Sequence, residues 1–330
     1  MIRIQAYSRL HFGLLNPFAG EMPGFRCFGG VGVMIAQPDL CLRVEPDSAW
    51  SAEGPLADRA LRFARCFRAA TCEDEQIADL PPHRLRIERG MPVHCGLGSG
   101  SQLALSVARA LAALWGLSCD AATLARRTGR GVRSALGTHG FEQGGFLVDP
   151  GKRSAAKLAP LVVRQPFPEE WRLVVALPPH HAAGLHDRGE MEAFARLTAA
   201  SATGLSPDGR TELLCRLVLL GLLPALVERD VEAFGEALYE FNVRVGEAFA
   251  PVQGGVYASP RVAEVVEFVR GQNVRGVGQS SWGPAVFAVV ADAEHAEHLA
   301  AQLRRRFALP ESAVWTTPAC NHGATLNEEK

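Results

Sequence analysis

Pro92-Val93-His94-Cys95-Gly96-Leu97-Gly98-Ser99-Gly100-Ser101-Gln102, running on as Leu103-Ala104-Leu105-Ser106-Val107-Ala108-Arg109-Ala110-Leu111-Ala112-Ala113-Leu114-Trp115, decides the fold. A strand-like segment, His83 to Arg89, comes before it. The stretch reads strand, Gly/Ser loop, apolar helix. Glycines let a backbone turn tightly and bring its N–H groups near a ligand. The helix leaves its first N–H groups unpaired and turns its positive dipole end to the loop. Together these favour phosphate or pyrophosphate. The competing reading is a plain strand-to-helix turn in which Ser99 or Ser101 only caps the helix.

The loop lacks the Gly-Lys-Ser/Thr ending of a P-loop and the Gly-x-Gly-x-x-Gly of a dinucleotide fold. It resembles the phosphate loop of the GHMP kinase superfamily, Pro-x-x-x-Gly-Leu-Gly-Ser-Ser. Pro92, Gly96, Leu97, Gly98, Ser99 and Ser101 match, and Gly100 stands where that pattern has serine.

The chain has 330 residues, enough for two ordinary domains. Its net charge of -1 offers no global basic field for nucleic acid or an anionic membrane. The start, Met1 to Tyr7, alternates like a strand and has no apolar signal core. The most apolar segment, Leu213 to Val227, is too short to span a bilayer. Eight cysteines lie scattered with no Cys-x-x-Cys, which suits reduced thiols in a cytoplasmic protein. Cys95 sits within the loop, either as a nucleophile or as a small buried filler.

Residues 2–12 read as a strand on which Arg9 and His11 share a face. Gly13 to Phe28 is a loop or hairpin. Gly29 to Ala36 and Leu40 to Val44 read as two strands around Pro38-Asp39, and residues 55–70 as a helix. Asp120 is the expected N-cap of a helix Ala121–Thr128. Gly129 to Asp149 is glycine-rich yet carries Arg130, Arg133, His139, Glu142 and Asp149, a composition typical of functional loops. The second half reads β-α-β-β-α-β with a helical insertion, the ferredoxin-like order. Its strands are Trp171–Leu177, Val274–Val277, Ala285–Val290 and Ala313–Thr316. Its helices are Ala193–Thr203, Thr211–Val227, Val231–Phe249, Pro260–Arg270 and Glu294–Phe307. A second Gly/Ser loop, Gly276 to Pro284, joins the middle strands. His180, His181, His186 and Asp187 form a histidine cluster that suits substrate contact in a solvent loop better than a metal site.

Three motifs taken together resemble the β-ribofuranosylaminobenzene 5′-phosphate synthase family, a branch of the GHMP superfamily. They are Ser8-Arg9-Leu10-His11-Phe12; the loop at 92–102 with Arg130 to Phe146; and Gly276-Val277-Gly278-Gln279-Ser280-Ser281-Trp282-Gly283-Pro284. The resemblance implies an α+β fold of two domains, an N-terminal GHMP domain (1–165) and a ferredoxin-like C-terminal domain (166–330), with the site between them. It implies a decarboxylating pentosyltransferase that joins phosphoribosyl pyrophosphate to 4-aminobenzoate, or to 4-hydroxybenzoate, on the way to tetrahydromethanopterin, with Mg²⁺ and no organic cofactor. Nucleic acid and membrane are not expected partners, and a homodimer is an expectation with no sequence feature behind it.

On this reading the backbone of Gly96, Leu97, Gly98, Ser99, Gly100 and Ser101 holds pyrophosphate. Arg9, Arg130 and Arg133 are candidates for the 5′-phosphate and the aromatic carboxylate. His11 would move a proton. Glu142 or Asp149 would hold the metal or stabilise an oxocarbenium-like centre, with Ser101 as a further metal ligand. Ser134, Gln279, Ser280 and Ser281 contact substrate, and Trp282 offers a face to the ring. The carboxylate of the kinase pattern Ser-Gly-x-Asp falls on Gly137, which speaks against the main rival, a GHMP small-molecule kinase. The other rival is a non-catalytic relative that binds a phosphorylated metabolite.

Overall fold

The computed structural model describes residues 1–17, 26–153, 157–179, 192–197 and 209–329. The histidine cluster at 180–187 and most of the expected helix Ala193–Thr203 lie outside them.

The first sheet follows from long alternating apolar runs. Strands β1 (Ile2–Asn16) and β2 (Phe28–Pro46) pair antiparallel along almost their whole length. Residues 29–44, expected as two strands, form one. A register shift lets 36–38 leave the ladder, because Pro38 has no N–H to give, and pairing with β1 resumes on both sides. The path runs β11-β1-β2-β4-β3, with β3 (Ser51–Glu53) and β4 (His83–Arg89); β5 (Phe146–Asp149) pairs with β2 and β6 (Val163–Gln165). Strand β11 (Thr325–Glu328) was not anticipated. It leaves the C-terminal unit and pairs with Ile2–Gln5.

Helices α1 (Ala57–Glu75), α2 (Ser99–Leu114), α3 (Ala121–Arg127) and α4 (Leu136–Gln143) belong to this unit. Asp120 caps α3 as expected, accepting from the Thr123 N–H at 2.8 Å. Helix α2 is buried on nearly every side, as its all-round apolar sequence requires. Leu103, Leu105, Val107 and Leu111 are wholly buried. Each contributes roughly 1.5–3 kcal/mol. Helix α4 replaces part of an expected loop; Gly140 lets it settle directly on Met34 of β2.

The second sheet has the order β10-β7-β9-β8, all antiparallel, from β7 (Arg172–Ala176), β8 (Gly276–Gln279), β9 (Val286–Val290) and β10 (Val314–Thr317). That is the ferredoxin-like order. Helices α8 (Pro260–Gly271) and α9 (Ala293–Phe307) cover one face in a valine- and leucine-rich core. The inserted run is α5 (Arg210–Leu217), a π turn (Val218–Leu222) and α6 (Leu223–Glu228), followed by α7 (Val231–Gln253). Helix α7 packs against both β8 and β1, and one apolar core spans the two units through Leu10, Phe12, Phe146, Phe234 and Phe287. Among the described residues no helix is long and apolar enough to cross a membrane.

Candidate active site

A cavity of about 530 Å³ opens where β1, the 92–98 loop, the start of α2, the 129–134 segment, α7 and the 279–283 loop converge. Ligand pockets are commonly of this size.

One end is cationic. Helix α2 begins after Gly98, and no side chain caps it. The capping role considered for Ser99 and Ser101 is therefore not what these serines do; both line the cavity. Two glycines shape the loop. Gly96 has φ +89° and lies so close to Ser280 that a Cβ would run into that residue's carbonyl oxygen. Gly98 has φ +79°, and a Cβ there would sit 2.7 Å from Cγ of Arg9. The loop thus accepts the second Gly/Ser loop on one side and the Arg9 stem on the other. The Arg9 backbone N–H donates to the Leu97 carbonyl at 3.0 Å. Arg59 and Arg130 line the same end, Arg130 with its guanidinium 4.7 Å from the Phe63 ring centre.

The other end is aromatic. Phe249 and Trp282 meet edge-on at 4.7 Å, and Phe194 contacts them at 5.8 and 5.6 Å. Arg133 lies over Phe194 at 4.8 Å. Asn242 braces this end, donating to the Phe12 and Gln279 carbonyls at 2.8 and 2.9 Å and accepting from the Gln279 N–H at 2.9 Å. Gln279 lines the cavity with its amide already engaged: it accepts from Ala258 N–H at 2.7 Å and donates to the Ser281 carbonyl at 3.0 Å. His11 stands in the wall, almost wholly buried, and its Nδ1 has no hydrogen-bond partner among the described residues. Burial, and then the Arg9 charge, hold its pKa well below the usual histidine range, so the ring is neutral.

Arg9, His11, Gly96, Gly98, Ser99, Gly100, Ser101, Arg130, Arg133, Ser134, Gln279, Ser281 and Trp282 are brought together as expected. Four expected residues are not. Leu97 turns its side chain into the core, which leaves the backbone role expected of it untouched. Ser280 is fully buried; its hydroxyl accepts from the His11 N–H at 2.9 Å and donates to the Gly96 carbonyl at 2.7 Å, so it latches β1 to both loops. Glu142 stands outside the cavity, 3.6 Å from Arg109. It is five residues beyond Gly137, hence about 140° round the helix from the face that meets the site. Asp149 is buried and holds structure instead, accepting from Ser134 Oγ, Ala135 N–H and Gly151 N–H at 3.0 Å each. Burial raises its pKa.

Among the described residues no carboxylate lines the cavity, and no three His, Cys, Asp or Glu side chains gather as metal ligands. A protein-held Mg²⁺ does not fit this donor set. Gly137 lies in ordinary contact range of the Arg9 stem and Ser101, so no kinase-type acid stands there. Cys95 is the filler: burial pushes its thiol up to about 11. Arg59, Phe194, Asn242 and Phe249 were not anticipated. Their spacings match amphipathic helices, and only the fold shows which face meets the cavity.

The GHMP kinases N terminal domain matches residues 58–146, and the GHMP kinases C terminal domain matches 222–309. The chain is 31% identical to the β-ribofuranosylphenol 5′-phosphate synthase of Methanothermobacter thermautotrophicus, over 87% of this chain and 88% of that one. It is 28% identical to the synthase of the same name from Archaeoglobus fulgidus, over 88% of each. Its fold superposes on mevalonate diphosphate decarboxylase from Enterococcus faecalis with a TM-score of 0.66, 16% identity and 99% of each chain covered.

Proposed function

Because the chain belongs to the β-ribofuranosylphenol 5′-phosphate synthase family within the GHMP fold, we propose that it is a decarboxylating pentosyltransferase that joins phosphoribosyl pyrophosphate to 4-hydroxybenzoate. The phenol in its relatives' names favours that acceptor over 4-aminobenzoate. The observation that carries the reading is a single cavity with a glycine-lined, arginine-rich end, an aromatic end, and no carboxylate among its described lining residues.

In the reaction the anomeric C–O bond breaks and its electrons leave with pyrophosphate. The ring carbon that bears the carboxylate bonds to the sugar carbon. That carboxylate departs as carbon dioxide, and its bonding electrons restore the aromatic ring. The 96–101 backbone, the α2 dipole and the nearby arginines stabilise charge as it grows on the leaving group. Arg133, which lies over Phe194 and lines the cavity, would hold the benzoate carboxylate until it departs. Neutral His11 can accept a hydrogen bond from the phenol, which makes the ring carbon opposite more electron-rich. Among the described residues the cavity lining supplies no carboxylate ligand for magnesium, so the backbone amides and arginines carry the stabilisation of the leaving group. The kinase alternative lacks its acid, with Gly137 at that place.

The test mixes the purified protein with phosphoribosyl pyrophosphate, Mg²⁺ and either carboxyl-labelled acceptor. Labelled carbon dioxide and pyrophosphate in equal amounts, with higher kcat/KM for 4-hydroxybenzoate, are expected. Turnover of ATP with release of neither product would reject the reading in favour of a kinase.

A further inference from the structure

One departure in the phosphate loop, Gly100 in place of serine, is unexplained by the loop's own conformation. Gly100 lies in the first turn of α2 and has no left-handed backbone to maintain. Its surroundings give the reason. A Cβ at Gly100 would lie 2.8 Å from Nη2 of Arg59 and 3.7 Å from Nη1 of Arg130. Real Cβ atoms are not found so near a neighbour, so a side chain here would push aside the tip of the Arg59 side chain, whose flexible stem lets it shift.

Arg59 comes from α1, which runs past the uncapped start of α2. Four residues on, Phe63 shares its helix face, and Phe63 is the ring beneath Arg130. One face of α1 therefore supplies a guanidinium and also the platform for a second. Both arginines line the cavity, as do Ser99 and Ser101.

We propose that Arg59 and Gly100 are a matched pair, in which the absent side chain at 100 admits a guanidinium that binds the departing diphosphate. A serine hydroxyl offers one neutral donor at such a place. Arginine offers a charged fork suited to two phosphate oxygens. Charge on the leaving group increases as the anomeric bond breaks, so Arg59 stabilises the separated diphosphate more than the bound substrate. This rests on the synthase reading for the identity of the ligand, but its anion chemistry can be measured alone.

The experiment is titration of inorganic pyrophosphate into the resting protein by calorimetry, for wild type, Arg59→Ala, Arg59→Lys, Gly100→Ser and the double variant Arg59→Ala/Gly100→Ser. Melting temperatures establish that each is folded. Arg59→Ala is expected to weaken pyrophosphate about 10- to 100-fold, with Arg59→Lys between it and wild type. Gly100→Ser is expected to weaken it measurably but less than Arg59→Ala, since the Arg59 tip can shift, and to add less than about threefold once Arg59 is gone, as coupled neighbours do. In turnover, the effect should fall on phosphoribosyl pyrophosphate kinetics and leave KM for the aromatic acid unchanged. Unaltered pyrophosphate affinity in Arg59→Ala would overturn the proposal. So would a Gly100→Ser effect that is fully additive with the loss of Arg59, because the two would then act separately. If wild type binds pyrophosphate through Arg59 yet releases carbon dioxide from neither acid, the synthase reading fails and the pair stands.

Discussion

Replacing Asn242 by aspartate removes two hydrogen atoms and leaves the side-chain shape nearly unchanged, so its cost isolates hydrogen bonding from packing. The native amide donates to the Phe12 and Gln279 carbonyls and accepts from the Gln279 N–H. Asn242 is buried, lies against Gly278 and borders the cavity. Aspartate keeps the accepted bond and loses both donated ones. Each buried carbonyl left without a donor costs about 1–3 kcal/mol. The two losses together make about 2–6 kcal/mol at pH 8, a large part of the ~5–15 kcal/mol that holds a typical protein folded. The sign with pH follows from burial, which raises the new carboxyl's folded pKa above its unfolded value near about 3.9. Its penalty is complete above the folded pKa and shrinks as pH falls through it, since protonation restores one donor. Urea unfolding of both proteins at pH 8, 6.5 and 5 measures this, with the gap from wild type expected to narrow toward pH 5. A variant within about 1 kcal/mol of wild type at pH 8, or a gap that does not depend on pH, would refute the reasoning.

For His11 the buried ring stays neutral while the unfolded chain takes up a proton below about 6.5, so wild-type stability should fall with pH there by up to about 1.4 kcal/mol per unit. The difference from His11→Gln, measured by denaturant unfolding between pH 7.5 and 5.5, should show that slope; a constant difference would contradict the neutral ring. Glu142→Gln should leave KM for both substrates within about twofold, because its carboxylate faces Arg109 outside the cavity. Asp149→Asn should instead lower stability by about 1–3 kcal/mol in a thermal melt, since an amide N–H₂ would face donors.

The ferredoxin-like order was legible because strand and helix periods differ and its turns are marked. The phosphate loop was legible because Gly96 and Gly98 occupy backbone states that glycine favours. Charge alone misled at Glu142 and Asp149. Both follow the arginines in a glycine-rich stretch, but that stretch folds as a helix and a strand, and neither element turns these carboxylates into the cavity. The aromatic end was half visible: Trp282 lies in a marked loop, whereas Phe194 and Phe249 join it only through tertiary packing. Arg59 was hidden on an ordinary amphipathic helix, and its trace in the sequence was the missing side chain at 100.

Strand β11 imposes an order on synthesis. Ile2–Gln5 are made well before their partners on that edge, Thr325–Glu328, which lie more than 300 residues later in the chain. At ~5–20 residues per second this leaves the edge bare for roughly 15–60 s. During that interval its N–H and C=O groups are open to any extended chain nearby. The seam closes only when residues 325–328 pair with this edge.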